Sequence, residues 1–178
     1  MRSIVRIEQP LYPEGRIRIM EEKRYGLVNE DLLTSLSREA RINPRRRQNY
    51  NLHQPEDRVQ RFLNAVEPES YVRPHRHLNP PKSETFVVLR GSFLILLFND
   101  RGDVLESIKL DAEGVNRVID VLPGTWHGLI SLEPGSVYFE VKDGPYIPLT
   151  DKDFAPWAPP EGSGESDAYL QKLKGMAS

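Results

Sequence analysis

Between Tyr71 and Lys142 the chain runs as short stretches in which apolar and polar residues alternate, each ended by turn-forming residues. The stretches are Tyr71–His77, Glu84–Leu89, Ser92–Phe98, Val104–Leu110, Arg117–Leu122, Trp126–Leu132 and Ser136–Lys142. Between them stand Asn79-Pro80-Pro81, Gly91, Asn99-Asp100-Arg101-Gly102, Glu113-Gly114, Pro123-Gly124 and Glu133-Pro134-Gly135. A period of two with frequent turns predicts β-strands, and a run of short strands without intervening helices predicts an antiparallel sandwich or small barrel.

Before this region the pattern is helical. Asn29 suits an N-cap, Glu30 and Asp31 a first turn, and Leu32, Leu33 and Leu36 share one helical face. A second helix is expected from Pro55, with Val59, Phe62, Leu63 and Val66 at i, i+3, i+4 and i+7, ended by Pro68. Arg16-Ile17-Arg18-Ile19 alternates and suits an edge strand. After Tyr146 the chain is proline-rich and reads as an irregular strap held by Phe154 and Trp157, then a loose linker and a tail helix around 166–174. The expected division is an N-terminal extension (1–66), a barrel with strap (67–161) and a linker with tail helix (162–178), all within one structural domain.

With 178 residues the chain is long enough for one well-formed core. A net charge of -2 gives no general pull toward nucleic acid or anionic membranes, and the Arg45–Arg47 cluster is too short to change that. The apolar run 93–98 is far shorter than the ~20 residues that span a bilayer, and the N-terminus lacks the apolar stretch of a signal peptide. A cytoplasmic protein with no membrane and no nucleic-acid partner is expected. The absence of cysteine excludes disulfides, thiolate metal sites and a cysteine nucleophile. Any metal must be held by imidazole and carboxylate.

That chemistry is present. In His75-Arg76-His77 the two imidazoles lie two residues apart, so on a strand they point to one face about 7 Å apart and can converge on one ion. Tyr71 and Arg73 share their parity and are expected in the same pocket. Glu84 opens the next strand and His127 follows the Pro123-Gly124 turn. Three imidazoles and one carboxylate suit one divalent transition metal, whether iron, manganese, nickel or zinc, and leave two octahedral positions open.

These residues resemble the motifs of the cupin superfamily. His75-Arg76-His77, a spacer lengthened by Asn79-Pro80-Pro81, then Glu84 with six residues before Gly91 is similar to the first motif. Pro123, Gly124 and His127 are similar to the second. A closer likeness, from about Arg45 to Glu161, is to the WbuC family of cupin-fold metalloproteins, often found among O-antigen and surface-polysaccharide genes. It lies in 47–53 (RQNYNLH), 57–61 (DRVQR), 70–77 (SYVRPHRH), 140–146 (EVKDGPY) and 151–161 (DKDFAPWAPPE). The resemblance implies an all-β fold, a cupin-type double-stranded β-helix or jelly roll, with an α-helical N-terminal extension. It also implies His75, His77, Glu84 and His127 as metal ligands, and pairing into a homodimer through sheet edges.

Around that centre, His53 is a candidate acid–base group or substrate contact. Arg73 either pairs with Glu84 or Glu140 or clamps a substrate carboxylate or phosphate. Lys142 and Glu140 should face the pocket together with Tyr138, leaving Val137, Phe139 and Val141 on the opposite side. Trp126 and Trp157 read as packing residues. The expected ligand is a small anionic or sugar-like molecule. Two functions stay open: a metal-dependent enzyme acting on a small polar metabolite such as a sugar or sugar nucleotide, and a non-catalytic sensor or binding module.

Overall fold

The computed structural model describes residues 25–146 and 153–176; the edge strand expected at 16–19 lies outside them. Helix α1 (Glu30–Ile42) starts at Asn29, whose side chain accepts a hydrogen bond from the Leu32 amide at 3.0 Å. Strands β1 (Arg47–Asn51), β2 (Val59–Val66), β3 (His75–Arg76), β4 (Glu84–Arg90), β5 (Ser92–Phe98), β6 (Val104–Asp111), β7 (Val118–Val121), β8 (Trp126–Ser131), β9 (Ser136–Asp143) and β10 (Asp153–Phe154) follow, then helix α2 (Ser166–Lys174). They form two five-stranded sheets, ordered β1-β2-β9-β4-β7 and β10-β3-β8-β5-β6, with antiparallel pairings throughout.

Three layers of apolar packing hold the sheets. Between them lies a core that includes Phe86, Val88, Phe93, Ile95, Leu129 and Tyr138. Outside the first sheet, Leu33, Leu36 and Ala40 of α1 pack on Leu63, Ala65 and Val137. Outside the second, Leu170 and Leu173 of α2, with Ala155 and Ala158 of the strap, cover Leu94, Leu96, Phe98 and Ile130. Because both faces of β5 are covered, 93–98 reads as an unbroken apolar run rather than an alternating one.

The stretch expected to be a second helix is instead β2. Its apolar residues at 59, 62, 63 and 66 fit a helical spacing, and a strand is the other structure open to the segment. Pairing decides between them: β2 lies between β1 and β9, with 62–66 opposite 47–51 and 59–66 opposite 136–143. Leu63 and Ala65 then face α1, while Gln60, Phe62 and Asn64 face the barrel interior. The 47–51 stretch, which reads as polar loop, is strand β1 at the sheet edge.

The other strands lie within two residues of expectation, except that only 75–76 of the 71–77 stretch is strand. The strap contributes β10, which pairs with β3. It is held by Ala155, Ala158 and Trp157, the last 4.9 Å from Phe98 and 6.2 Å from Trp126 between ring centroids. Phe154 remains half exposed. Gly91, at φ 69, makes the turn from β4 to β5, where a Cβ would fall 2.2 Å from Ser136 Oγ. No helix among the described residues is long and apolar enough to cross a membrane.

Candidate metal centre and adjoining cavity

The sheets bring His75, His77, Glu84 and His127 together, all buried, with one possible ligand atom from each within 4.8 Å of the others. The histidines come from the second sheet and its loops. His75 and His127 are direct cross-strand partners on β3 and β8, and His77 follows β3 by one residue. Glu84 begins β4 in the first sheet, so the cluster joins the two sheets. The lengthened spacer does not displace it: Leu78 and Pro81 pair across a small loop, and both Lys82 and Gly124 amides donate to the His77 carbonyl, at 3.5 and 3.0 Å. Gly124, at φ 78, turns the chain so that β8 starts beside that loop.

The Glu84 carboxylate is the hub. Its Oε1 lies 2.9 Å from His77 Nε2, and its Oε2 lies 2.8 Å from His127 Nε2 and 3.7 Å from His75 Nε2. His75 Nδ1 sits 3.1 Å from the Arg73 carbonyl and His127 Nδ1 sits 2.9 Å from the Thr125 carbonyl. Because a carbonyl only accepts, each Nδ1 carries the proton and each Nε2 of a neutral ring presents its lone pair to the cluster. His127 Nε2 and Glu84 Oε2 are therefore two acceptors facing each other at hydrogen-bond distance. Such a contact is relieved by a proton shared between the two atoms or by a metal ion. Burial works to raise the Glu84 pKa, but its close contacts with the imidazoles of His127, His75 and His77 outweigh it and hold the carboxyl well below its usual range.

A cavity of about 640 Å³ opens beside this cluster. Lys142 links the two: it lines the cavity, and its Nζ lies 3.5 Å from Glu84 Oε1 and 3.7 Å from Glu140 Oε1. Glu140, on the same face as expected, accepts from Asn64 Nδ2 at 3.0 Å. Tyr138 shares that face, and burial together with Glu140 and Glu84 keeps its phenol neutral far above the ordinary range. His53 lines the cavity's outer part, where its Nδ1 is 2.9 Å from the Arg61 amide. It is not within the His75, His77, Glu84 and His127 cluster.

Arg73 takes neither expected partner. Its Nη2 donates to the Ala155 carbonyl at 2.7 Å, and its guanidinium sits over the Phe154 ring at 5.4 Å. Tyr71 is likewise turned away from the pocket, packing into the layer under α2 with its hydroxyl donating to the Pro159 carbonyl at 2.9 Å. Residues 71–74 are not in a strand, so the parity argument that joined them to His75 fails there.

At the cavity rim, Arg45 grips Glu161 through two hydrogen bonds of 2.7 and 2.9 Å, and Arg47 adds a third at 2.6 Å. Arg46 pairs with Glu69. Burial raises the Glu161 pKa, but the bonds from Arg45 and Arg47 win and bring it down to about 2. Sequence reasoning missed Gln60 and Asn64 as cavity residues, because a helical reading of 55–66 turns them toward solvent.

Residues 28–110 match the family model described as Domain of unknown function (DUF6016), less than half of the chain. No curated protein is similar enough to count as a match. Among solved structures, the chain is similar to the capsular polysaccharide assembling protein CapF from Staphylococcus aureus, with 23% identity, 64% of this chain and 30% of that chain covered, and a TM-score of 0.51. CapF with the inhibitor 3-isopropenyl-tropolone matches at 21% identity over 64% of this chain and 32% of that one, with a TM-score of 0.54. A cupin superfamily protein from Desulfitobacterium hafniense matches at 18% identity over 55% of this chain and 76% of that chain, with a TM-score of 0.44. The chain thus spans about a third of CapF's length. The fold, two packed antiparallel five-stranded sheets with an N-terminal helix, is like that of the matched part of CapF, and its buried His/Glu cluster can hold a metal.

Proposed function

We propose that this protein is a metal-dependent enzyme of the WbuC type, acting in the cytoplasm as a homodimer on a sugar or sugar nucleotide of surface-polysaccharide assembly. The observation that carries the metal part is the contact of two acceptors, His127 Nε2 and Glu84 Oε2, at 2.8 Å inside a buried cluster. His75, His77, Glu84 and His127 would hold one ion of iron, manganese, nickel or zinc. A bound ion of this kind supplies Lewis acidity toward a carbonyl or hydroxyl oxygen. The chain's own residues account for the rest: Lys142 sits between the cluster and the cavity, and Glu140 and Asn64 line the wall beside it. The polysaccharide part rests on the family resemblance, and CapF's description as a capsular polysaccharide assembling protein is of the same kind.

A second reading, a closed metal that orders the barrel or serves a sensor, has one observation in its favour: all four cluster residues are buried. Elemental analysis of untagged protein purified without chelator, beside a His75→Ala/His127→Ala variant, tests the site. About one equivalent of a first-row metal is expected in the wild type and none in the variant; a metal-free wild type after reconstitution would sink the assignment. Azide added to the cobalt-loaded protein separates the two readings. A shift of the visible absorption bands means an exchangeable position, and unchanged bands mean a closed site.

A further inference from the structure

We infer that Gln60 and Lys142 form an acid-binding subsite, and that the cavity takes a small polyhydroxylated carboxylic acid. This rests on the metal-dependent reading above and names the substrate class of the same site.

Gln60 is 2% exposed, yet its side-chain amide nitrogen has no hydrogen-bond partner among the described residues. Burying an amide without a partner costs about 1–3 kcal/mol, a cost that a ligand accepting from it would remove. Gln60 is one of the residues that line the cavity. Strand register gives it a definite address: Glu84 on β4 is opposite Lys142 on β9, and Lys142 is opposite Gln60 on β2. Three side chains therefore stand in one row across the sheet, with neighbours about 5 Å apart. One end is a ligand of the metal cluster and the other is the unused amide.

The row selects the ligand's chemistry. An ammonium and an amide N–H on adjacent strands suit the two oxygens of a carboxylate, because both donate and a carboxylate accepts at each oxygen. The next positions along β2 and β1 carry Asn64, Asn49 and Asn51. A carboxamide both donates and accepts, which matches hydroxyl groups, while the Phe62 face beside Lys142 offers apolar surface to a carbon chain or ring. At about 640 Å³ the cavity has the size of an ordinary small-molecule site.

Gluconate is the probe and glucose the neutral comparator, titrated calorimetrically into metal-loaded wild type and Gln60→Met, with metal content measured before and after. Wild type is expected to bind gluconate at least tenfold tighter than glucose. Gln60→Met should weaken gluconate by about tenfold or more, keep its metal, and melt no lower than wild type, because it removes an unsatisfied buried amide. Gluconate binding that is absent in metal-loaded wild type, or unchanged in Gln60→Met, overturns the subsite and leaves the metal site standing. A Gln60→Met protein that melts well below wild type assigns the amide to packing and also overturns it. A wild type without metal is the separate failure of the metal reading, and this inference falls with it.

Discussion

Glu161 reaches across to Arg45 and Arg47 and joins the end of the strap to the turn before β1. Its pKa of about 2 lies below the ordinary 4.5, so the ionised carboxylate stabilises the folded chain above about pH 4.5. That contribution is lost progressively as the pH falls from 4.5 toward 2. Glu161→Gln should therefore lower the urea midpoint at pH 7 and make a smaller difference at pH 3, read from paired denaturation curves. A gap of equal size at both values would mean that the contact is not charge-assisted. At the His/Glu cluster, likewise, the decisive facts concern single atoms: carbonyls of residues 73 and 125 set the tautomers of His75 and His127 and so aim their lone pairs.

Among the elements, β2 shows how one set of residues serves two faces. Gln60, Phe62 and Asn64 build the cavity wall, while Leu63 and Ala65 receive α1. Leu63 is fully buried beneath that helix. Leu63→Ala should cost about 2–5 kcal/mol of unfolding free energy, measured by chemical denaturation, through lost burial and the space left under α1. Metal content should stay the same, because Leu63 points away from the cluster. β8 divides its labour in the same way: His127 and Leu129 face inward, and Trp126 and Ile130 join the outer layer. Trp126 accordingly packs, and its indole N–H donates to Asp100 at 2.9 Å.

For the whole molecule, the outer layers make the two-sheet barrel a four-layer object: α1, first sheet, second sheet, then strap with α2. Leu170 is 2% exposed in the last layer. Leu170→Ala should lower stability by about 2–5 kcal/mol in the same assay and leave metal content unchanged, since its neighbours are on the outer face of the second sheet. The strands from 84 to 143, helix α1 and the α2 span were legible in the sequence, because alternation, caps and turn residues are local signals. So were the four cluster residues, because residue types with metal-binding chemistry stand at strand spacing beside identifiable turns. What the chain could not declare locally was β2, whose apolar spacing reads as helical and whose strand form is decided by pairing with β1 and β9. Nor could it declare that Arg45 and Arg47 meet Glu161, or that Gln60 stands in line with Lys142 and Glu84. Those juxtapositions join residues far apart in the chain, and only the sheet register and the docking of the strap bring them within reach.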